Sequence, residues 1–348
     1  MAAHPTPISP TANPTLERAL RVTLEFRSDT VGSMGQLEPL AIRLGLMQDT
    51  LKPRFRQPQI VLIAADHGLA VDGIGAMRGA STASRVQQLL SGQLPVAVFA
   101  RQQGLQLTVV DAGLAEPVEQ HATLLARKIA HGTRNARVGN AMSTKQANAA
   151  IRAGMEIADT LAGNAIACAG MGVGSEESAA LILSRLGGCS LTDLVVSGPD
   201  MRQDELMHLN TVLQAALARH PDVTDPIEVL AAFGGFEIAM MVGVMLVASS
   251  KRHLIVIDGM AACAALKVAA LLAPPVTDYA VFCRSNTHRG LDEAMALFHA
   301  SALLEFGMEC ADGTGAALAW PLIRSAAALL SEVADADTPT PSRPGDWP

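Results

Sequence analysis

The apolar positions of the chain fall into short, nearly unbroken β-rich runs that alternate with longer segments of helical period. The runs cover residues 59–64, 105–111, 164–169, 254–258 and 279–283, and each gives way to polar or glycine-rich sequence. Strands covered on both faces read this way, because neither face alternates with solvent. The 3.6-residue period predicts helices over 83–90, 179–186, 205–218, 261–272 and 316–330. Another is predicted from Ser143, which with Gln146 forms a capping-box pattern ahead of residues 147–162. Strand, loop and helix in repetition predict an α/β fold, a doubly wound, mostly parallel sheet with its ligand site beyond the carboxyl ends of the strands.

Two stretches depart from this rhythm. Residues 16–51 lack a strand pattern and read as a small helical element. Residues 229–248 have the length of a membrane span, but Glu237 lies near the middle, and a carboxylate there costs roughly 2.5 kcal/mol or more. No second comparable span accompanies it, so a buried helix is expected, interrupted at Gly234 and Gly235, each costing about 1 kcal/mol relative to alanine.

At 348 residues the chain has room for about two domains of roughly 150 residues. The expected organisation is a flexible arm over 1–14, a helical small-domain part over 15–55, a large α/β domain over 56–300, a segment over 301–334 completing site and small domain, and a flexible tail over 335–348. Apolar residues at 49% against 17% charged exclude a disordered chain. Aromatics at 3% and a net charge of −7 argue against nucleic acid, which needs stacking platforms or clustered cations. Five cysteines, with no C-x-x-C pair and no histidine at ligand spacing, predict no metal centre and a reducing compartment, the cytoplasm. The first fourteen residues carry Pro5, Pro7, Pro10 and Pro14 without a basic or apolar signal region, so a loose arm is expected rather than a secretory signal.

Candidate chemistry lies in the loops after the strands. Asp66-His67 follows the first, where the pair can orient a hydroxyl or exchange a proton, or where Asp66 caps a turn and His67 is a satisfied structural group. Gly170-Met171-Gly172-Val173-Gly174-Ser175-Glu176-Glu177 follows the third. Glycines there let backbone N–H groups approach a phosphate at a helix start, although G-x-G-x-G is not the dinucleotide fingerprint and a turn capped by Ser175 reads equally well. Asp312-Gly313-Thr314-Gly315 is a late glycine turn opening onto a helix, with Asp312 a candidate general base or a turn residue. Glu237 reads as a core acid bonded to backbone N–H groups, or as part of the site. Asp258-Gly259 and the patch Arg284-Ser285-Asn286-Thr287-His288-Arg289 complete the rim, with the arginines as anion partners or a solvated loop.

Taken in order, these segments resemble the nicotinate-nucleotide:dimethylbenzimidazole phosphoribosyltransferase family, nearly end to end. The matching pieces are Gly32-Ser33-Met34-Gly35-Gln36-Leu37-Glu38, Ala65-Asp66-His67-Gly68, His131-Gly132-Thr133-Arg134-Asn135, Gly172-Val173-Gly174, Gly234-Gly235-Phe236-Glu237-Ile238-Ala239, Val256-Ile257-Asp258-Gly259 and the segment from Asp312 to Ala319. The resemblance implies a doubly wound large domain, a small helical domain from both chain ends, and a homodimer. It implies transfer of phosphoribose from nicotinate mononucleotide to a benzimidazole nitrogen, without metal or organic cofactor. On it, Asp312 takes the catalytic position. Asp66, His67, Gly75, Gly170, Met171, Gly172, Gly174, Ser175, Gly234, Gly235, Glu237, Asp258, Ser285, Gly313, Thr314 and Gly315 take substrate-binding ones.

The chain also departs from the family pattern. Asp312 stands where the family has glutamate, one methylene longer, and a shortfall of about 1 Å can cost about a hundredfold in rate. Gly170 replaces a glutamate, and Ser175-Glu176-Glu177 replace Asn-Thr-Thr. Gly198-Pro199-Asp200 replace Gly-Thr-Gly, Leu209 falls where a lysine is usual, and Gly75 and Ala80 replace polar residues. Three readings follow: an active phosphoribosyltransferase with Asp312 as base, a degenerate paralogue that binds a nucleotide or azole as sensor or partner, and a nicotinamide-dependent oxidoreductase.

Overall fold

The computed structural model describes residues 7–75, 80–195, 201–285, 289–310 and 312–333. Six strands form one sheet: β1 (Gln59–Ala65), β2 (Gln106–Gly113), β3 (Leu124–Ala126), β4 (Ala165–Met171), β5 (Leu254–Ile257) and β6 (Ala280–Phe282). Their order is β3-β2-β1-β4-β5-β6, and every neighbouring pair is parallel. The sheet is thus wholly rather than mostly parallel among the described strands. β1, β4 and β5 are buried at every residue, the consequence of helices on both faces. Strand order reverses between β1 and β4, where Ala64 lies beside Met171, the switch point at which open α/β sheets bind their ligands.

The apolar stretch around Glu237 forms two helices, Pro226–Phe233 and Phe236–Ser250, with the break at Gly234-Gly235. The second is buried on almost every side, and no described helix is long and apolar enough to cross a membrane. It crosses the Thr144–Thr160 helix in backbone contact: a Cβ on Gly154 would lie 1.9 Å from the Met240 carbonyl oxygen, and one on Gly243 would lie 2.0 Å from that of Ile151. The Ser143–Gln146 capping box is formed in both directions.

The chain divides into two compact units. One holds Arg56–Trp320 with the residues up to Pro10, the other Thr11–Phe55 and the chain from Pro321. In the first, Ser9 is tied down, its carbonyl accepting from the Tyr279 hydroxyl at 2.7 Å. In the second, the helices Pro14–Val31 and Leu37–Gln48 bring Leu20 against Gly45, and Arg27 donates to the Leu329 carbonyl.

Candidate active site

Two clusters of polar side chains form at the carboxyl ends of the strands. The first spans the switch point. β1 delivers Asp66 and His67 in succession, and extended backbone turns their side chains to opposite sides. His67 is buried, its Nε2 2.8 Å from Glu237 Oε1 and its Nδ1 2.8 Å from Ser178 Oγ. Ser175 Oγ donates to the same Glu237 oxygen at 2.8 Å. Glu237 is completely buried, and its Oε2 has no hydrogen-bond partner among the described residues. Burial opposes protonation of His67, but the charge of Glu237 and its hydrogen bond outweigh this and hold the imidazole pKa above its ordinary value.

These contacts correct two expectations. Glu237 is bonded to side chains rather than to backbone N–H groups. Ser175 does not cap its helix: Gly174 occupies the cap position at φ 89°, and the Ser175 hydroxyl serves Glu237 instead. Glycine is required here, since a Cβ on Gly174 would meet His67 Cβ at 2.8 Å and one on Gly172 would meet the Ala65 carbonyl at 1.9 Å. Asp66 does not cap the turn that follows it. Its Oδ1 accepts from Thr82 Oγ1 at 2.5 Å and its Oδ2 from the Ala115 N–H at 2.8 Å. Thr82 Oγ1 also accepts from the Val173 N–H at 3.1 Å, linking the β1 and β4 loops.

The second cluster holds the late glycine turn. Asp312, half-buried, accepts from Thr314 Oγ1 at 2.6 Å and from the Thr314 N–H at 3.2 Å, both at Oδ1. Gly313 lies against Ile60 and Ala169, on β1 and β4. Asp258 is bonded within the protein: Oδ1 accepts from Arg284 Nε at 2.6 Å, and Oδ2 from the Gly315 N–H at 3.0 Å. Arg284 is correspondingly buried and not part of a solvated loop.

Around the start of the Ser175–Gly187 helix, Glu176 and Glu177 line one recess with Ala180, Val195, Leu209 and Leu213. The lysine position of the resemblance is thus a buried leucine beside two acids. Burial and the neighbouring Glu177 charge push the Glu176 carboxyl up to about 7, against the opposing pull of Arg284. Glu177 is also raised, by burial, with His67 opposing.

The structure therefore brings His67, Gly172, Gly174, Ser175, Gly235 and Glu237 into one cluster, and Asp258, Asp312, Gly313, Thr314 and Gly315 into the other. Gly75 joins the first, a Cβ there lying 2.6 Å from the Gly174 nitrogen. A Cβ on Gly170 would lie 3.4 Å from Glu237 Cγ but 2.9 Å from Ala261 Cβ, and Met171 is buried at the end of β4. Gly234 packs on Leu230, away from these contacts, and Ser285 bonds through its N–H to the Leu304 carbonyl. Residues 196–200 and 286–288, and the tail beyond 333, lie outside the described residues. Two residues went unassigned in the sequence: Ser178 and Thr82. Of these only Ser178 carried a signal, standing three positions from Ser175 and hence on the same helical face.

A family model described as "Phosphoribosyltransferase" matches residues 9–339. The nicotinate-nucleotide–dimethylbenzimidazole phosphoribosyltransferase of Cupriavidus taiwanensis is 41% identical over 94% of this chain and 96% of that protein. Its counterpart from Cupriavidus necator is likewise 41% identical, over 94% and 95%. The chain belongs to this phosphoribosyltransferase family. The crystal structure of the Thermus thermophilus nicotinate-nucleotide–dimethylbenzimidazole phosphoribosyltransferase superposes with a TM-score of 0.85 at 29% identity, covering 92% of this chain and 96% of that one. For a phosphoribosyltransferase, the G-x-G-x-G turn has no dinucleotide to hold, and the oxidoreductase reading is withdrawn.

Proposed function

We propose that this phosphoribosyltransferase transfers phosphoribose from nicotinate mononucleotide to a benzimidazole-type base, giving an α-ribazole phosphate and free nicotinate. The ring nitrogen of the base attacks C1′ and the bond from C1′ to the pyridine nitrogen breaks. Its electron pair returns to the nicotinate ring, and the proton of the attacking azole passes to Asp312. General-base help of this kind contributes about a hundredfold to ten-thousandfold. The observation that carries the assignment is the setting of Asp312. It is half-buried, and Thr314 occupies its Oδ1, which fixes the carboxylate; among the described residues no bond engages Oδ2, the oxygen assigned to the azole.

The donor phosphate is assigned to the Gly172–Gly174 turn, where the positive end of the Ser175–Gly187 helix favours an anion. The family resemblance further supports a homodimer, and the reduced cysteines, free at all five positions, are in keeping with a cytoplasmic enzyme. The test is incubation of the purified protein with nicotinate mononucleotide and dimethylbenzimidazole. Stoichiometric nicotinate and α-ribazole phosphate are expected.

One observation favours a second reading, a paralogue that binds without turnover. Two carboxylates stand beside the proposed phosphate position, and the second acid of the family pattern is absent at Gly170. Azole binding detected by calorimetry, with no nicotinate released, would establish that reading in place of the first.

A further inference from the structure

We propose that the buried Asp258–Arg284 ion pair is the positioning device of the Asp312 turn, fastening the chain on both sides of the acid and so setting where its carboxylate meets the azole. The inference rests on Asp312 as the proton acceptor. Asp258 leaves the end of β5 and Arg284 the end of β6, two strands in register with Ile257 beside Phe282, so the pair is built on the sheet and not on a loop. From it two arms reach out. Arg284 Nη1 donates to the Met308 carbonyl at 2.7 Å, four residues before Asp312. Asp258 Oδ2 accepts from the N–H groups of Gly315 at 3.0 Å and Ala316 at 3.4 Å, just after it.

The remaining bond, Arg284 Nε to Asp258 Oδ1 at 2.6 Å, makes the two arms one rigid unit. The approach is close enough to require glycine: a Cβ on Gly315 would lie 2.5 Å from Arg284 Cδ and 3.0 Å from Asp258 Oδ1. A carboxylate at the first N–H groups of the Thr314–Ser331 helix is also favoured by the helix dipole. With both Asp258 oxygens engaged inside the protein, its work is to hold the turn. Misplacing a proton acceptor by about 1 Å can cost about a hundredfold, which is the scale on which such a staple acts.

Cys310, two residues before Asp312, reports on the turn without reference to catalysis. Its thiol is half-buried, and burial together with the Asp312 charge raises its pKa, so it reacts slowly while the turn is held. The experiment measures three quantities for Asp258→Asn and for Arg284→Lys, which keeps the charge but not the fork that reaches both partners. They are kcat, the KM of nicotinate mononucleotide, and the rate of Cys310 alkylation mapped by mass spectrometry with Cys189 as internal control.

Expected is a fall in kcat of up to about a hundredfold with little change in KM, and faster alkylation of Cys310 but not of Cys189. In an Asp312→Ala background either substitution should lower kcat no further, because residues that act as a unit are non-additive. Should Asp258→Asn fail to fold, Arg284→Lys decides alone by the same readouts. Unchanged Cys310 alkylation in the folded variants, or losses that add to that of Asp312→Ala, would overturn the proposal. If Asp312→Ala itself leaves turnover intact, the base assignment fails, while the alkylation rates still decide whether the pair holds the turn.

Discussion

The two polar clusters differ in what they leave free. Around His67, every ring nitrogen and hydroxyl is spent inside the protein, and the side chains are almost entirely sealed from solvent. Around Asp312, the sealed part is the Asp258–Arg284 pair, while the acid itself stays half-open with one oxygen tied. A group that exchanges a proton with a bound base must reach it, and only the second cluster offers that. The His67 cluster instead shapes the Gly172–Gly174 turn from beneath. Burial and a shifted pKa therefore mark the scaffold here, and partial exposure marks the chemistry.

The contrast breaks most severely if the first cluster proves dispensable for folding. Glu237→Ala leaves the buried His67 ring without its counter-charge, and removal of one partner of a buried pair costs about 3–5 kcal/mol. Asp312→Ala removes only the bonds from Thr314, worth about 1 kcal/mol. Urea titrations of the two variants should differ accordingly; equal midpoints would contradict the division of labour.

Next in size is the reach of the acid. Asp312→Glu restores the methylene of the family pattern, and turnover with dimethylbenzimidazole should rise by up to about a hundredfold. A fall would mean that this chain matches its shorter acid to a base seated more deeply.

The smallest effect concerns Glu176, whose carboxyl is pushed up to about 7 by burial and Glu177. A group raised in the folded state contributes stability that is complete below its unfolded value and lost as pH rises through the folded one. His67, also raised, acts in the same direction. Glu176→Gln should consequently raise the melting temperature at pH 8 and not at pH 4.5. The same charge repels the donor phosphate above about pH 7, so the KM of nicotinate mononucleotide should climb between pH 6 and 8. One unit charge at close range in water is worth about 1 kcal/mol, roughly fivefold. A variant whose KM climbs as steeply as the parent's would remove Glu176 from the phosphate position.

Much of the scaffold was legible because its cause is local. Five strands announced themselves as nearly unbroken apolar runs, and the Ser143 capping box fell where its two polar residues stood. β3 escaped because three residues, two half-buried and one exposed, carry no period. The Pro95–Gln103 helix escaped although its opening proline was a start signal. The site was legible only in part, for a different reason. His67 and Glu237 meet across 170 positions, and Asp258 meets Gly315 across 57, so the partners are products of the sheet order and not of any motif. For the same reason Asp258 and Arg284 read as rim residues until the fold turned them inward.

The assignment of Asp312 is tested most directly by the turnover of Asp312→Ala at saturating nicotinate mononucleotide and dimethylbenzimidazole. The expected result is nicotinate release slowed about a hundredfold to ten-thousandfold, with the KM of the donor nearly unchanged. Release at the parent rate would show that another group takes the proton.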